Sequence, residues 1–520
     1  MNNNPVISIV LNAHIPFIRH PEQAECLEER SFFEAISDTY IPLLEMFDRL
    51  DRDHVPFRMG ISISPTLCHM LNDSHLMKRY LTFTDKQIEF GANELKRLPG
   101  DDALSRGVKQ FYDCMVEKRV LFTERYEGSL LKVFDYYQKK GRLELLLTAA
   151  THAFLPFYAA YPEAIQAEIE VAIGAYRSQF GKNPQGFWLP EMGWKAELDS
   201  WLRSYNFAYT MVDTHGLVFS QPRAEKGSFY PAKTPAGVFV VGRDFYAKED
   251  IEALSSCSEY RDNKKDLGFE LPPDLIKPFL GTQGGRGCTG YKCRTRGGAV
   301  YNFDEARQKA QDQARVFLKN RKTRLGEAQV LMDKPPFCLC AFDADNFGRR
   351  WYEGPQFLET IFREGAQDFQ FMTPAEYLYK QDPSSFQTLM PEFSSWGING
   401  YGETWADASN DWIYRHTTRA LERMIEISDR FPDNSGLKER TLNQAAREIL
   451  LSMASDWPGM LYKQENSAYA RLQIESCLRN FTTIYEALGS NYISTEWLTS
   501  LEKRHNIFPN INYRVFRRKK

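Results

Sequence analysis

Residues 6–14 read VISIVLNAH. The run VISIVL lacks the apolar–polar alternation of a strand with one wet face, so it reads as a strand covered on both sides, as in a parallel sheet. It ends in polar residues, Asn12 and His14. The same arrangement recurs along the chain. Apolar runs at 57–63, 143–147, 186–189, 207–212, 238–241 and 337–342 lead in turn into Ser64, then Thr151 with His152, Glu191, Asp213, Arg243 with Asp244, and Asp343 with Asp345. Helical periodicity fills the intervals, most clearly over 162–180, where the pattern stops before Gly181. Strand–helix alternation of this kind predicts an α/β fold, either a (β/α) barrel or a doubly wound sheet. Polar residues gathered at the ends of successive strands match the face on which a barrel carries its active site, so the pattern predicts an enzyme.

At 520 residues the chain exceeds one ordinary domain. The stretch 73–140 is charged and helix-patterned without a strand run, and predicts a helical subdomain inserted into a catalytic unit spanning 1–400. Beyond that unit the strand signal stops. Periodic runs at 417–430, 437–454, 469–488 and 494–503 predict an α-helical C-terminal domain, 401–520. A hydrophobic fraction of 43% with 26% charged residues is that of a globular protein. The formal net charge of -3 offers no attraction to nucleic acid or to an anionic membrane, and the basic tail 514–520 reads as a solvated terminus. No apolar run approaches a membrane span, and the N-terminus has no basic-then-apolar leader. The nine cysteines lack paired zinc-site spacing, so reduced thiols and a cytoplasmic location are expected. Aromatic residues make up 14% of the chain, and many Trp and Tyr cluster in turn-rich segments, as surfaces that stack on sugar rings do.

Glycosidic-bond chemistry needs two carboxyl groups, one to attack the anomeric carbon and one to protonate the leaving oxygen. Glu191 stands in FWLPEMGW, just past a strand and between Trp188 and Trp194, a poor place for an ordinary solvated charge. Asp343 ends the apolar run of CAFDADNFG. The bland reading of such an aspartate is a helix cap or a turn former. His14 in NAHIP and His152 in ATHAFLP also follow strands. A lone histidine is more often structural than functional. Two at equivalent strand ends, beside two carboxylates, point to one site that holds sugar hydroxyls or a metal.

NAHIPF, LELLLTAATHAFLP, FWLPEMGW, CAFDADNFGRRWYEG and SSWGINGYGETWADASNDWIYRH follow one another in that order. Together with LNQAAREILL, MASDWP and IFPNINYRVF in the helical tail, they resemble glycoside hydrolase family 57, in particular its branching-enzyme and amylase C-like subgroup. The resemblance runs nearly end to end. It implies a distorted (β/α)7 barrel with an inserted helical subdomain and an α-helical C-terminal domain. It also implies a retaining α-glucan-active enzyme, foremost a 1,4-alpha-glucan branching enzyme, acting on an α-glucan polysaccharide or maltooligosaccharide. Glu191 falls on the family's nucleophile and Asp343 on its acid/base, with their side chains expected about 5–5.5 Å apart. His14 and His152 fall on positions that line the family's sugar site. Asp213 joins them as a substrate-binding candidate, and Trp194, Trp351, Trp396 and Trp405 fall in motifs that supply aromatic walls. Neither a metal nor an organic cofactor is implied.

This sequence also departs from the family. Relatives usually carry a histidine at Asn12, a glutamate at Asp345 and a histidine at Arg349. A tryptophan- and glycine-rich stretch is replaced by SSCSEYRDN at 255–263. The loop 222–235, which helps branching enzymes hold the acceptor chain, contains RAEKGSFYP and has lost the usual Arg-Tyr-Gly. A guanidinium from Arg349 or Arg350 that reached Asp343 would lower its pKa; the alternative is an outward pairing with Asp345 or Glu353. Rival readings on the same residues are a hydrolysing alpha-amylase or a 4-alpha-glucanotransferase. From other classes come a glucan-binding protein that has lost turnover and a metal-dependent barrel of the α-mannosidase or deacetylase kind. Asn12 stands where the last of these would need a ligand.

Overall fold

The computed structural model describes residues 4–100, 102–279, 286–433 and 435–519. Its strands are β1 (Val6–Ala13), β2 (Met59–Ile63), β3 (Leu143–Thr148), β4 (Gly186–Trp188), β5 (Tyr209–Val212), β6 (Ala232–Lys233), β7 (Phe239–Gly242), β8 (Phe337–Asp343) and β9 (Gln370–Phe371). They join in the order β6-β7-β5-β4-β3-β2-β1-β8, with β9 added beside β1. Every pairing is parallel except that of β6 with β7. The far edges approach each other. A parallel bridge joins Arg243 to Leu339, and the Asp244 amide donates to the Leu339 carbonyl at 2.8 Å. The sheet is therefore a distorted (β/α)7 barrel rather than a doubly wound sheet, with the two-residue β6 and β9 as additions to the strands read from the apolar runs.

Strand parity explains how apolar runs end in a polar mouth. Every residue of β1 is buried. Val6 and Val10 pack in the barrel interior with Trp188, Met211, Leu339 and Ala341, whereas Ile7, Ile9 and Leu11 pack outward against the helices. Side chains alternate along a strand, so Asn12 continues the interior row of Val6 and Val10. By the same count Asp343 continues that of Leu339 and Ala341. The β1–β8 register pairs Asn12 with Asp343 directly.

Helix Pro162–Phe180 ends at Gly181, whose φ of 66° is the left-handed cap that glycine adopts freely. Within 73–140, helices Ser74–Arg97 and Ala103–Val120 lie against each other outside the barrel, while Leu130–Lys139 returns to pack on β3. A second excursion covers the paired helices. Tyr291 meets Phe90 at 5.2 Å and Tyr301 meets Phe111 at 5.9 Å between ring centres. A buried ion cluster braces this region to the barrel. Asp38 accepts from Lys118 at 3.2 Å and from Arg261 at 2.9 Å. Burial alone would raise the Asp38 carboxyl, but Arg261 and Lys118 outweigh it and hold it well below the usual range. The C-terminal helices are Trp412–Arg430, Gly436–Ser452, Asp456–Lys463, Ser467–Ser490 and Thr495–Arg504. The short Asp456–Lys463 has no period long enough to read from sequence. The cysteines whose side chains are described are free, Cys288 lying outside that set. Among the described residues no helix is long and apolar enough to cross a membrane.

Arg321, on helix Phe303–Val330, is fully buried and ion-paired to Asp244 at the end of β7 and to Asp250. Removing one partner of such a pair strands the other in a dry environment. Arg321→Met should destabilise the fold by about 3–5 kcal/mol, read as a lower urea midpoint. An unchanged midpoint would show that the pair does not hold this helix to the barrel.

Candidate active site

Strand β4 stops at Trp188, and the chain then turns sharply. Glu191 and Met192 both have positive φ, 58° and 50°, a conformation that costs non-glycine residues energy and is kept where packing over-determines it. The packing is tight here: a Cβ on Gly193 would lie 2.5 Å from the Phe154 ring. The turn delivers the Glu191 carboxylate to two donors from distant segments. Trp396 Nε1 donates to Oε2 at 2.6 Å, and Ser455 Oγ donates to Oε1 at 2.8 Å.

Asp343 ends β8 beside Asn12, whose Nδ2 lies 3.5 Å from Asp343 Oδ1 and 3.3 Å from His152 Nε2. The other ring nitrogen, His152 Nδ1, lies 3.0 Å from Ser455 Oγ and 3.6 Å from Glu191 Oε1. His14 stacks on His152, with ring centres 3.9 Å apart and planes within 9°. Its Nε2 lies 2.8 Å from Asp456 Oδ2 and its Nδ1 2.9 Å from Ser64 Oγ. Hydrogen counting fixes the state of His14. The Thr66 hydroxyl donates to the Ile15 carbonyl at 2.8 Å, so the Ser64 hydroxyl, 2.9 Å away, donates to Thr66 and can only accept from His14. Both nitrogens of His14 thus face acceptors, and the ring is an imidazolium.

The electrostatics agree with this count. Burial opposes charge on His14, but Asp456, Glu191 and Asp343 together raise its pKa above the ordinary value. His152 moves the other way, since burial and then the neighbouring His14 push it well below. Burial, reinforced by Asp343, pushes Glu191 up to about 7 against the pull of Ser455 and Trp396. Asp343 is also raised, by burial first, with Arg350 and Lys463 pulling back. Both carboxyl groups are thus pushed toward their neutral forms. Glu191 has two short donors and Asp343 one long one, so hydrogen bonding favours the charge on Glu191, against the burial that lifts it to about 7. Such a pair can divide nucleophilic and acid work between its members.

Of the two arginines, Arg349 takes the outward pairing and Arg350 lowers Asp343 without setting its net shift. Arg349 turns away and donates to Asp345 through Nε at 2.8 Å and through Nη2. Arg350 does line the cleft and pulls on Asp343, but burial outweighs it.

The carboxyl pair opens into a cleft of about 740 Å³. Trp351, Trp396 and Trp405 line it, as do Asp213 and Lys463. Trp405 is stacked on Phe154 at 5.0 Å, and Trp351 is backed by Phe357 at 4.9 Å. Asp213 is ion-paired to Arg243 and caps the helix that begins at Thr214. Trp194 is elsewhere. It is fully buried, its Nε1 donates to the Pro391 carbonyl at 3.1 Å, and it is not a cleft residue, because the turn after Glu191 sends it into the core. His14 and His152 lie behind the carboxyl groups rather than in the cleft wall. None of the cleft-lining residues comes from the loop 222–235, and the altered stretch 255–263 contributes only Ser255. Sequence reasoning missed Ser455 and Asp456 as site residues, and their only signal is their place in MASDWP.

A family model for glycosyl hydrolase family 57 matches residues 8–389, and one for the C-terminal region of 1,4-alpha-glucan branching enzyme matches residues 416–516. A 1,4-alpha-glucan branching enzyme of Thermococcus kodakarensis is 25% identical over 536 aligned positions, covering 96% of this chain and 77% of that protein. Among solved structures, the alpha-amylase AmyC from Thermotoga maritima is 34% identical with a TM-score of 0.92, covering 99% of this chain and all of that one. A branching enzyme from Pyrococcus horikoshii has a TM-score of 0.89 at 22% identity, over 99% of this chain and 97% of its own, a likeness of fold.

His14 keeps, when folded, a proton that the unfolded chain loses near pH 6.5. Its stabilisation is complete below that pH and fades as pH rises through the raised folded pKa. Asp456→Asn should lower the His14 pKa and flatten that limb of the stability–pH curve. An NMR titration of His14 unchanged in Asp456→Asn would sink the ion-pair assignment.

Proposed function

Because the chain belongs to glycosyl hydrolase family 57, we propose that it is a retaining 1,4-alpha-glucan branching enzyme in which Glu191 is the nucleophile and Asp343 the acid/base. The observation that carries this reading is the half-buried carboxyl pair at the mouth of the barrel, unequal in its donors. Glu191 attacks C1 of the donor glucan while Asp343 gives its proton to the departing O4, leaving a glycosyl ester on Glu191. Asp343, now a carboxylate, takes the proton of an acceptor 6-hydroxyl as that oxygen attacks C1 and displaces Glu191. Two inversions at C1 retain the configuration. Trp396 supplies a surface for the sugar rings, backed by the almost wholly buried Trp351 and Trp405, and Asp213 with its Arg243 partner faces the same space.

Branching rather than hydrolysis is supported by the C-terminal match to branching enzymes and by the relative from Thermococcus kodakarensis. A hydrolysing alpha-amylase is the second reading, favoured by the likeness to AmyC and by the absence of the loop 222–235 from the cleft lining. The two differ only in which hydroxyl reaches the glycosyl-enzyme. Free thiols among the described cysteines support a cytoplasmic site of action.

Amylose incubated with the protein should gain α-1,6 linkages in step with the α-1,4 bonds broken, with few net reducing ends. Reducing ends without branches would make it an amylase, and neither product a binding protein. Glu191→Gln and Asp343→Asn should each cut the rate by about a thousandfold or more with the fold intact, as single losses from a catalytic unit do. Either variant near the parent rate would remove that residue from its role. Activity should also survive exhaustive chelation, since two carboxyl groups suffice for the reaction; loss with EDTA and recovery with zinc would favour metal-dependent chemistry.

A further inference from the structure

We infer that Asn12 is a positioning residue for this reaction: its side-chain amide fixes the tautomer of His152 and, through His152 and Ser455, assigns the negative charge of the carboxyl pair to Glu191. The inference rests on the roles of Glu191 and Asp343 proposed above.

The β1–β8 register sets Asn12 beside Asp343, and strand parity turns its side chain into the barrel mouth. The Nδ2 group has two hydrogens and meets two acceptors, Asp343 Oδ1 at 3.5 Å and His152 Nε2 at 3.3 Å. The opposite amide orientation would set its carbonyl oxygen against Asp343 Oδ1 and hold the acid's proton inward, away from a leaving oxygen. As it stands, Oδ1 is buried and has no partner among the described residues. The site therefore accepts an orphaned carbonyl oxygen in order to present the N–H side.

Each later link is forced by the one before. A nitrogen that receives an amide hydrogen must be bare, so the neutral His152 ring carries its hydrogen on Nδ1. That hydrogen points at Ser455 Oγ, 3.0 Å away, which must accept it. The single Ser455 hydrogen is then committed to Glu191 Oε1 at 2.8 Å. With Trp396 on Oε2, Glu191 has two donors where Asp343 has one. Reversing the His152 tautomer would turn the Ser455 hydrogen back to Nδ1 and strip a donor from Glu191. An amide does not titrate, so Asn12 imposes this direction at every working pH.

The charged and titratable groups around the pair leave this chain in control. His14 acts on both carboxyl groups, Asp456 and Tyr414 face the Glu191 side, and Asp345, Arg350 and Lys463 face Asp343. None of them donates to Glu191 Oε1. The stacked His14 imidazolium keeps a second proton off His152.

The test pairs kinetics with a direct view of the ring. In Asn12→Leu the acid limb of the kcat/KM–pH profile should rise by about one pH unit. At pH values below it, kcat should fall about tenfold with KM for amylose within about threefold. Ser455→Ala should give the same shift, and the double variant no more than either single one, as expected of two links in one chain. A loss of rate with an unmoved limb, or shifts that add, would overturn the proposal. NMR of 15N-histidine-labelled wild-type protein reads the tautomer without any variant having to fold. Between pH 6 and 8, His152 should be neutral with Nδ1 protonated and Nε2 bare; an Nε2–H ring overturns the proposal. That result stands apart from the roles of the carboxyl groups, which Glu191→Gln and Asp343→Asn decide.

Discussion

The parallel register of β1 and β8 is the constraint on which the site depends. It sets Asn12 level with Asp343 and, through alternation, points both into the barrel mouth. A one-residue slip of either strand would turn that strand's interior row outward and put its Asn12 or Asp343 among the helices. The register is held because both faces of each strand are committed. Ile7, Ile9 and Leu11 answer to the helices, and Val6 and Val10 answer to the barrel interior. The Arg243–Leu339 bridge and the Arg321 ion pairs then hold the far edges together, so that residues from β4, β5, β7 and β8 share one cleft.

Within that frame the site is a contest between burial and hydrogen bonding. Full burial can shift a carboxyl pKa by as much as roughly 3–5 units, while accepted hydrogen bonds pull the other way. Symmetric surroundings would leave the proton and the charge on either carboxyl group alike. The surroundings are not symmetric: Trp396 and Ser455 serve Glu191 at short range, and Asp343 has a single long contact with Asn12. The stacked histidines repeat the division, one charged against Asp456 and the other held neutral.

The barrel is legible in the sequence because each of its longer strands is apolar on both faces and ends in a polar group, and because Gly181 marks the end of a strongly periodic helix. Glu191 and Asp343 are legible for the same reason, as charges that break such runs. What escapes is what depends on backbone direction or distant contact. Trp194 neighbours Glu191 in sequence, yet the positive-φ turn sends it into the core. Arg349 and Arg350 are adjacent and identical, but only Arg350 faces the cleft, since Asp345 captures its neighbour. The excursion over helices Ser74–Arg97 and Ala103–Val120 has no period to reveal it and is held by aromatic contacts such as Phe90–Tyr291. Ser455 and Asp456 read locally as nothing more than the start of a short helix.

That last placement has a consequence for how the protein comes into being. Ser455 and Asp456 belong to the helical region that follows the barrel, and the Ser455 amide is tied to the His152 carbonyl at 3.2 Å. During synthesis the ribosome releases both Glu191 and Asp343 long before either of these residues exists. A nascent or prematurely terminated chain can therefore hold both Glu191 and Asp343, yet lack the hydroxyl that steadies one and the carboxylate that charges His14. The surroundings of Glu191 and His14 are therefore complete only after the barrel's own residues have all been made.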